Sequence, residues 1–72
     1  MTIRNERFLR FSGNLSEIVA EIDVDTADEL PETDGISGRI LHQGSTALII
    51  KEGRIAVLSG DGHWYVNGEA VK

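Results

Sequence analysis

Two apolar runs separated by a glycine turn constrain the fold of this chain more than any other feature of its sequence. The run Thr46-Ala-Leu-Ile-Ile-Lys51 is followed by Glu52-Gly53 and then by Arg54-Ile-Ala-Val-Leu-Ser59. A two-residue connection that ends in glycine is typical of a β-hairpin, because the tight turn needs a positive φ that glycine adopts readily. Glutamate is unusual at the first turn position, so a three-residue connection stays open. The sequence therefore predicts a hairpin over residues 46–59.

A two-residue turn makes both faces of this hairpin apolar. In that register one face carries the pairs Ile50–Ile55 and Leu48–Val57, and the other carries Ile49–Ala56 and Ala47–Leu58. Strands that are apolar on both faces are normally covered on both. We therefore expect this hairpin to be covered from two sides.

Two further glycine turns extend the hairpin into a meander. Asp61-Gly62 precedes the run His63-Trp-Tyr-Val66, and Asn67-Gly68 precedes Glu69-Ala-Val71. Each dipeptide has the composition of a tight hairpin turn. The C-terminal half is therefore predicted to be a β-meander whose last strand is short.

The two neighbouring aromatic residues of the third run are predicted to point to opposite faces. The expected register places Trp64 beside Ser59 and Val57, and Tyr65 beside Leu58. As the only tryptophan, Trp64 is expected to close the small core with its N–H hydrogen-bonded near the surface. The sequence leaves open whether Tyr65 is a core residue or part of a binding patch.

The N-terminal half is predicted to contain two strands. Arg7-Phe-Leu-Arg-Phe11 is a short run that ends at Ser12-Gly13-Asn14. From Glu17 to Asp25 apolar and other residues alternate with a period of two, which favours a half-buried strand. The same stretch has apolar residues at helical spacing, with Asn14 as a candidate cap. Because the alternation continues through Val24, where the helical stripe stops, the strand is favoured and the helix remains the alternative.

The segment between these halves is predicted to begin with one helical turn. Thr26-Ala-Asp-Glu29 has the form of a capping box, and Pro31 would end a turn that starts there. We expect a helical turn over residues 26–30 and then a loop. A further strand is expected from Gly38 to His42, stopped by Gly44.

These elements predict a single domain, residues 1–72, that is mainly β. The expected architecture is a small antiparallel β-meander, or a partly open barrel or sandwich, with one short helical turn. A core in a chain of this length rarely supplies more than about 3–5 kcal/mol. No cysteine is present, so no disulfide adds to it. We therefore expect support from copies of the chain or from a larger partner.

The charge balance argues against several partners. Seven basic and twelve acidic residues give a net charge of -5. Binding to nucleic acid or to an anionic membrane surface needs the opposite sign, so neither is expected. The first eleven residues are too polar for a signal peptide, and no apolar run has the length of a membrane span. The absence of cysteine fits an intracellular origin.

No pattern of metal ligands is found. The acidic stretch from Asp23 to Asp34 fails as an EF-hand, because its fifth and sixth positions are Ala27 and Asp28 instead of a ligand and glycine. It is interpreted as a solvated face. His42 and His63 lie in different strands without partners at zinc-ligand spacing. We expect no metal and no other cofactor.

No catalytic motif is found either. A nucleophile elbow is absent around every serine, including that of Gly35-Ile-Ser-Gly38. Gly44-Ser45-Thr46 lacks the lysine and the leading glycine of a phosphate loop, so it is interpreted as a turn. The chain is therefore predicted not to be an enzyme and to have no catalytic residue.

The order of turns and strands resembles a small module found in structural proteins of tailed bacteriophages. The resemblance is carried by Leu30-Pro31, Gly35, Gly44-Ser45-Thr46-Ala47, the strand with Ile49-Ile50, the turn at Gly53 and Gly62-His63-Trp64. It covers about residues 26–66, and the chain departs from it by continuing past Trp64 with the turn at Asn67-Gly68. The resemblance implies a place in a virion, such as a head-fibre-like or capsid-associated component, and specifies no functional side chains.

The leading hypothesis is therefore a virion structural protein, assembled in the host cytoplasm, that acts as a capsid-associated, decoration or head-fibre-like component. Its expected partners are copies of itself, with a trimer favoured, and a larger virion protein such as the major capsid protein. The alternative is a small SH3-like module that binds a protein or peptide through Trp64, Tyr65 and nearby loops. Candidate interface residues are Leu48, Ile49, Ile50, Ile55, Val57, Leu58 and Tyr65.

Overall fold

A seven-stranded mixed sheet forms the whole protein in the computed structural model, which describes residues 1–72. The strands are β1 (Thr2–Ser12), β2 (Leu15–Val24), β3 (Arg39–Leu41), β4 (Thr46–Ile49), β5 (Arg54–Leu58), β6 (Trp64–Val66) and β7 (Glu69–Ala70). The one helical element is a 3₁₀ turn at Ala27–Glu29. The prediction of a mainly β fold with one short helical turn is confirmed.

β2 is the strand that organises the sheet. It pairs with β1 in antiparallel orientation along one edge, and with β3 and then β4 in parallel orientation along the other. From β4 to β7 each strand pairs with the next in antiparallel orientation, which is the predicted meander. The sheet is open and mixed, because the chain crosses over through residues 25–38 before it returns alongside β2.

The alternating stretch in the N-terminal half is a strand, so the helical alternative is excluded. β2 buries every second side chain from Ile18 to Val24.

The predicted capping box at residues 26–29, which follow β2, is formed in part. The Glu29 carboxylate accepts hydrogen bonds from the backbone N–H groups of Asp25 at 2.8 Å and Thr26 at 3.2 Å, which starts the 3₁₀ turn.

The core lies on one face of the sheet. The residues 25–38, which we call the crossover segment, cover that face and contribute Leu30 and Ile36. The indole N–H of Trp64 donates to the Pro31 carbonyl oxygen at 2.8 Å, as expected for a buried tryptophan. The core side chains are Ile18, Ala20, Ile22, Val24, Leu30, Ile36, Leu41, Ala47, Ile49, Ala56, Leu58, Trp64 and Val66.

The register of the β4–β5 hairpin differs from the predicted one by two residues. Leu48 lies opposite Ile55, and Ala47 lies opposite Ala56, with a four-residue connection at residues 50–53. The longer turn has a tertiary cause, because Ile50 donates a backbone hydrogen bond to the Val24 carbonyl at 2.9 Å and so stays beside the end of β2. A shift of two residues leaves each side chain on its predicted face.

The register of the β5–β6 hairpin differs by one residue, which does exchange faces. Trp64 lies opposite Leu58 and Tyr65 lies opposite Val57, so the predicted neighbours of the two aromatic residues were wrong. The Ser59 N–H donates to the His63 carbonyl at 2.9 Å, which makes the connection a three-residue turn. Its odd number of residues places Trp64 on the core face.

The last turn is the tight one that the sequence predicts. Asn67 and Gly68 have φ angles of 51° and 82°, and Val66 pairs with Glu69 across them. Positive φ at both central residues defines a type I′ turn, for which asparagine followed by glycine is the preferred pair.

Ser45 closes a gap in the sheet that the sequence analysis missed. β3 ends opposite Ile18 of β2 and β4 begins opposite Glu21, so Ala20 has no strand partner on that edge. The Ser45 hydroxyl accepts the Ala20 N–H at 3.1 Å and donates to the His42 carbonyl at 2.8 Å. Its side chain is buried, which makes these two hydrogen bonds the substitute for the missing backbone ladder.

Replacing this hydroxyl should destabilise the fold. Ser45→Ala leaves the Ala20 N–H buried without an acceptor, which is expected to lower the free energy of unfolding by about 1–3 kcal/mol. Ser37→Ala, at an exposed position, is the matched control and should change it by less than about 0.5 kcal/mol. Urea denaturation followed by the fluorescence of Trp64 measures both, and coincident curves for the two variants would contradict the bridging role.

Candidate functional site

The face of the sheet opposite the crossover segment is uncovered, and we call it the open face. Three adjacent strands place four apolar side chains together on it, which we define as the apolar patch: Leu48, Ile55, Val57 and Tyr65. The exposed fractions of Ile55 and Val57 are 60% and 44%, and Leu48 and Tyr65 are half-buried. The expectation that the hairpin is covered on two sides is therefore wrong within a single chain.

The seven candidate interface residues divide between three places. Leu48, Ile55, Val57 and Tyr65 form the apolar patch. Ile50 lies in the turn between β4 and β5, with 52% of its surface exposed. Ile49 and Leu58 are buried in the core on the other face, so they are corrected from interface candidates to core residues. Period-two alternation separates these faces in the sequence, but it does not say which face the crossover segment covers.

A charged margin runs along the β1 side of the open face. The Arg4 guanidinium lies 2.6 Å from a carboxylate oxygen of Asp23 and 3.6 Å from one of Glu21. Asp23 is the cross-strand neighbour of Leu48, and Glu21 is that of Thr46. These acids therefore border the apolar patch with their charge partly balanced by Arg4.

A second charged cluster surrounds Glu17. The Arg10 guanidinium and the His42 ring Nε2 lie 2.7 Å and 2.5 Å from the same carboxylate oxygen. Desolvation by itself raises the pKa of Glu17, but the hydrogen bonds from His42 and Arg10, together with the positive charge of Arg10, outweigh it and lower the pKa. His42 is thus engaged with a carboxylate in this structure.

Tyr65 is held at the edge of the apolar patch by a carboxylate. Its hydroxyl donates to Asp61 at 2.7 Å, and the other carboxylate oxygen of Asp61 accepts the His63 backbone N–H at 3.0 Å. The hydrogen bond to Asp61 raises the pKa of Tyr65, and the bond from the Tyr65 hydroxyl lowers the pKa of Asp61. The phenol is therefore oriented with its ring on the sheet and its hydroxyl towards the turn.

No catalytic or metal-binding arrangement was found among the described residues. No group of three or more histidine or acidic side chains is placed to hold a metal ion. No serine or threonine hydroxyl is hydrogen-bonded to a histidine ring, which is the contact that activates the hydroxyl in serine–histidine catalysis. Three open surface depressions have volumes of 360 to 440 Å³. That the chain is not an enzyme and takes no cofactor stays a prediction.

Comparisons with known proteins give no further assignment. No family model, no curated protein and no solved structure matches this chain. The structure also has no helix with the length and apolar character to cross a membrane. The open face with its apolar patch is therefore the candidate functional site on structural grounds alone.

The contact between Tyr65 and Asp61 predicts a measurable titration. Asp61→Asn should return the pKa of Tyr65 towards its ordinary value of 10.0, because the carboxylate charge that holds the phenol proton is lost. The ultraviolet absorbance of this single tyrosine reports its ionisation directly. Asp34→Asn makes the same charge change elsewhere and should leave the titration unchanged.

The same pair also sets two limits to stability. A raised tyrosine pKa contributes stability that is present below the unfolded value and is lost as the pH rises through the folded value. A lowered aspartate pKa contributes stability that is present above its unfolded value of 3.8 and is lost as the pH falls. Asp61→Asn should therefore flatten the stability profile at both ends, and an unchanged profile would contradict the contact.

Proposed function

We propose that this chain is a structural building block that assembles with copies of itself through the open face. The observation that carries the proposal is the apolar patch. The chain covers one face of its sheet and leaves Ile55 and Val57 of β5 exposed on the other, between the half-buried Leu48 and Tyr65. Contiguous apolar surface of this kind marks association sites in small proteins.

The thinness of the sheet strengthens this proposal. A single sheet with a cover on one face buries side chains on that face only. A second layer packed on the open face would bury side chains there as well. Ile55 and Val57 would lose most of their exposed surface, at about 25 cal/mol per Å² of apolar area removed from water. Closed rotational symmetry is the usual way to cover such a surface completely, and we favour a trimer.

The setting that we propose is the virion of a tailed bacteriophage. Its support is the resemblance of residues 26–66 to small structural modules of such virions, in which turn residues and apolar positions follow the same order. In this setting the assembled chain is a capsid-associated, decoration or head-fibre-like component. It would bind a larger virion protein such as the major capsid protein, and the chain should then be found in purified virions by mass spectrometry.

Sedimentation equilibrium at micromolar concentration tests the assembly. The expected mass is about three times the 7.9 kDa of one chain. Val57→Glu should give monomers, because association would bury a carboxylate without a partner. Phe11→Glu is the control, since it places the same charge on an exposed apolar residue away from the apolar patch, and should leave the mass unchanged.

A folded, monomeric native chain at this concentration would contradict the proposal. It would favour the alternative, a small binding module that docks a protein or peptide on the same face. That alternative expects Tyr65→Ala to weaken partner binding while the chain stays folded. The two functions use overlapping residues but differ in mass, so one measurement separates them.

A further inference from the structure

A second surface of the molecule remains unpartnered: the outer edge of β1. This strand has 11 residues and pairs with β2 alone, so its other edge faces no strand. None of its side chains is fully buried. A free edge of this length presents backbone N–H and C=O groups that a further strand can pair with.

Charge distinguishes this edge from the rest of the molecule. β1 carries three arginines and one glutamate, a net charge of +2, whereas the other residues carry four basic and eleven acidic side chains, a net charge of -7. Arg4 and Arg10 are paired with acids of β2, but Arg7 takes part in no ion pair. Arg7 lies opposite Val19, on the side of the open face. The edge therefore favours an acidic partner.

Aromatic side chains line the opposite side of the same edge. Phe8 and Phe11 are 52% and 71% exposed, and their ring centroids are 4.8 Å apart. Phe8 also borders an open groove of about 370 Å³ that includes the buried side chain of Ile18. Arg39 and Glu6, joined by an ion pair of 2.7 Å, line the groove as well. An incoming strand would thus meet arginine on one side and phenylalanine on the other.

Two regular ways of pairing this edge with a second copy of itself place like charges together. Antiparallel pairing centred on Arg7 would set Arg4 opposite Arg10, and parallel pairing in register would set each arginine beside its own copy. Like charges that face each other across strands are destabilising. Irregularities in the register next to Arg4 and Leu9 also interrupt a long flat ladder, as in other protected edge strands. These two self-pairings are therefore disfavoured, whereas an acidic strand meets no such repulsion.

We propose that the outer edge of β1 binds an extended acidic segment of a larger partner protein, in which acidic and apolar residues alternate. The acidic side chains of that segment face Arg7 and Arg10, and the apolar ones pack beside Phe8 and Phe11. Successive strand residues point to opposite faces, which is why an alternating pattern fits both sides at once. This site lies on the outer edge of β1, which β2 separates from the strands that carry the apolar patch, so it goes beyond the proposed self-assembly.

Fluorescence anisotropy with synthetic peptides tests this inference. The probe is a labelled eight-residue peptide that alternates glutamate and valine. It should bind the native chain and should bind more weakly as salt is added, because exposed charges are screened. A lysine–valine peptide should not bind. A glutamate–valine peptide with prolines at its two central positions should bind much more weakly, since it cannot complete the backbone ladder.

Matched variants locate the site. Arg7→Glu should weaken binding of the glutamate–valine peptide about fivefold or more, because one attraction is replaced by a repulsion. Lys51→Glu changes the net charge by the same amount in the exposed turn between β4 and β5, and should have little effect on peptide binding. Phe11→Ser should weaken binding through loss of its apolar contact. The fluorescence of Trp64 during thermal unfolding checks that each variant is folded.

Three results would overturn the inference. The first is no binding of the alternating acidic peptide to the folded native chain at millimolar concentration. The second is equal weakening by Arg7→Glu and Lys51→Glu, which would mean attraction to net charge alone. The third is loss of peptide binding in Val57→Glu but not in Arg7→Glu, which would place the peptide on the apolar patch instead of the β1 edge. Because Arg7→Glu should leave the sedimented mass unchanged, failure here is distinguishable from failure of the self-assembly proposal.

Discussion

The sheet depends on the way in which one edge of β2 is shared between two strands. β3 pairs with its first part and β4 with its second, and the chain turns between them at Gln43 and Gly44. Such a break would leave the Ala20 N–H buried without an acceptor, and the Ser45 hydroxyl provides one. The Ser45 carbonyl also accepts the Leu58 N–H at 2.8 Å, so this residue links β2 to β5 across the break. The parallel return of the chain and the meander that follows both depend on this connection.

The position of the crossover segment follows from that parallel return. A parallel connection must pass over one face of the sheet, and here residues 25–38 pass over the face that contains Trp64 and Leu58. The segment is short, so one face receives a cover and the other receives none. The apolar patch is therefore a direct consequence of the topology. β1 contributes no fully buried side chain, and its charge differs in sign from that of the rest of the chain.

Local sequence patterns predicted where the strands and turns lie, because those signals act over a few residues, but they did not give the full length of β1 or of two hairpin turns. Alternation from Glu17 to Asp25 identified β2, and the asparagine–glycine pair before Glu69 identified a tight turn, which the structure shows to be type I′. The registers in which β4, β5 and β6 pair could not be predicted from local patterns. The β4–β5 turn is longer than its glycine suggests because the backbone of Ile50 is held by Val24, a residue far away in the sequence. The three-residue turn before β6 likewise moved Trp64 to the core face.

The sequence alone determined that this chain is a small, acidic, mainly β protein with alternating strands, since composition and period-two patterns are local properties. Only the tertiary structure decided which of two apolar faces is covered. Ile49 and Val57 are equally apolar in the sequence, yet one is fully buried and the other is 44% exposed. The role of Ser45 could not be predicted either, because nothing in the sequence around it indicates that its hydroxyl accepts a hydrogen bond from the Ala20 N–H. Such contacts join residues that are distant in the sequence, so no local pattern encodes them.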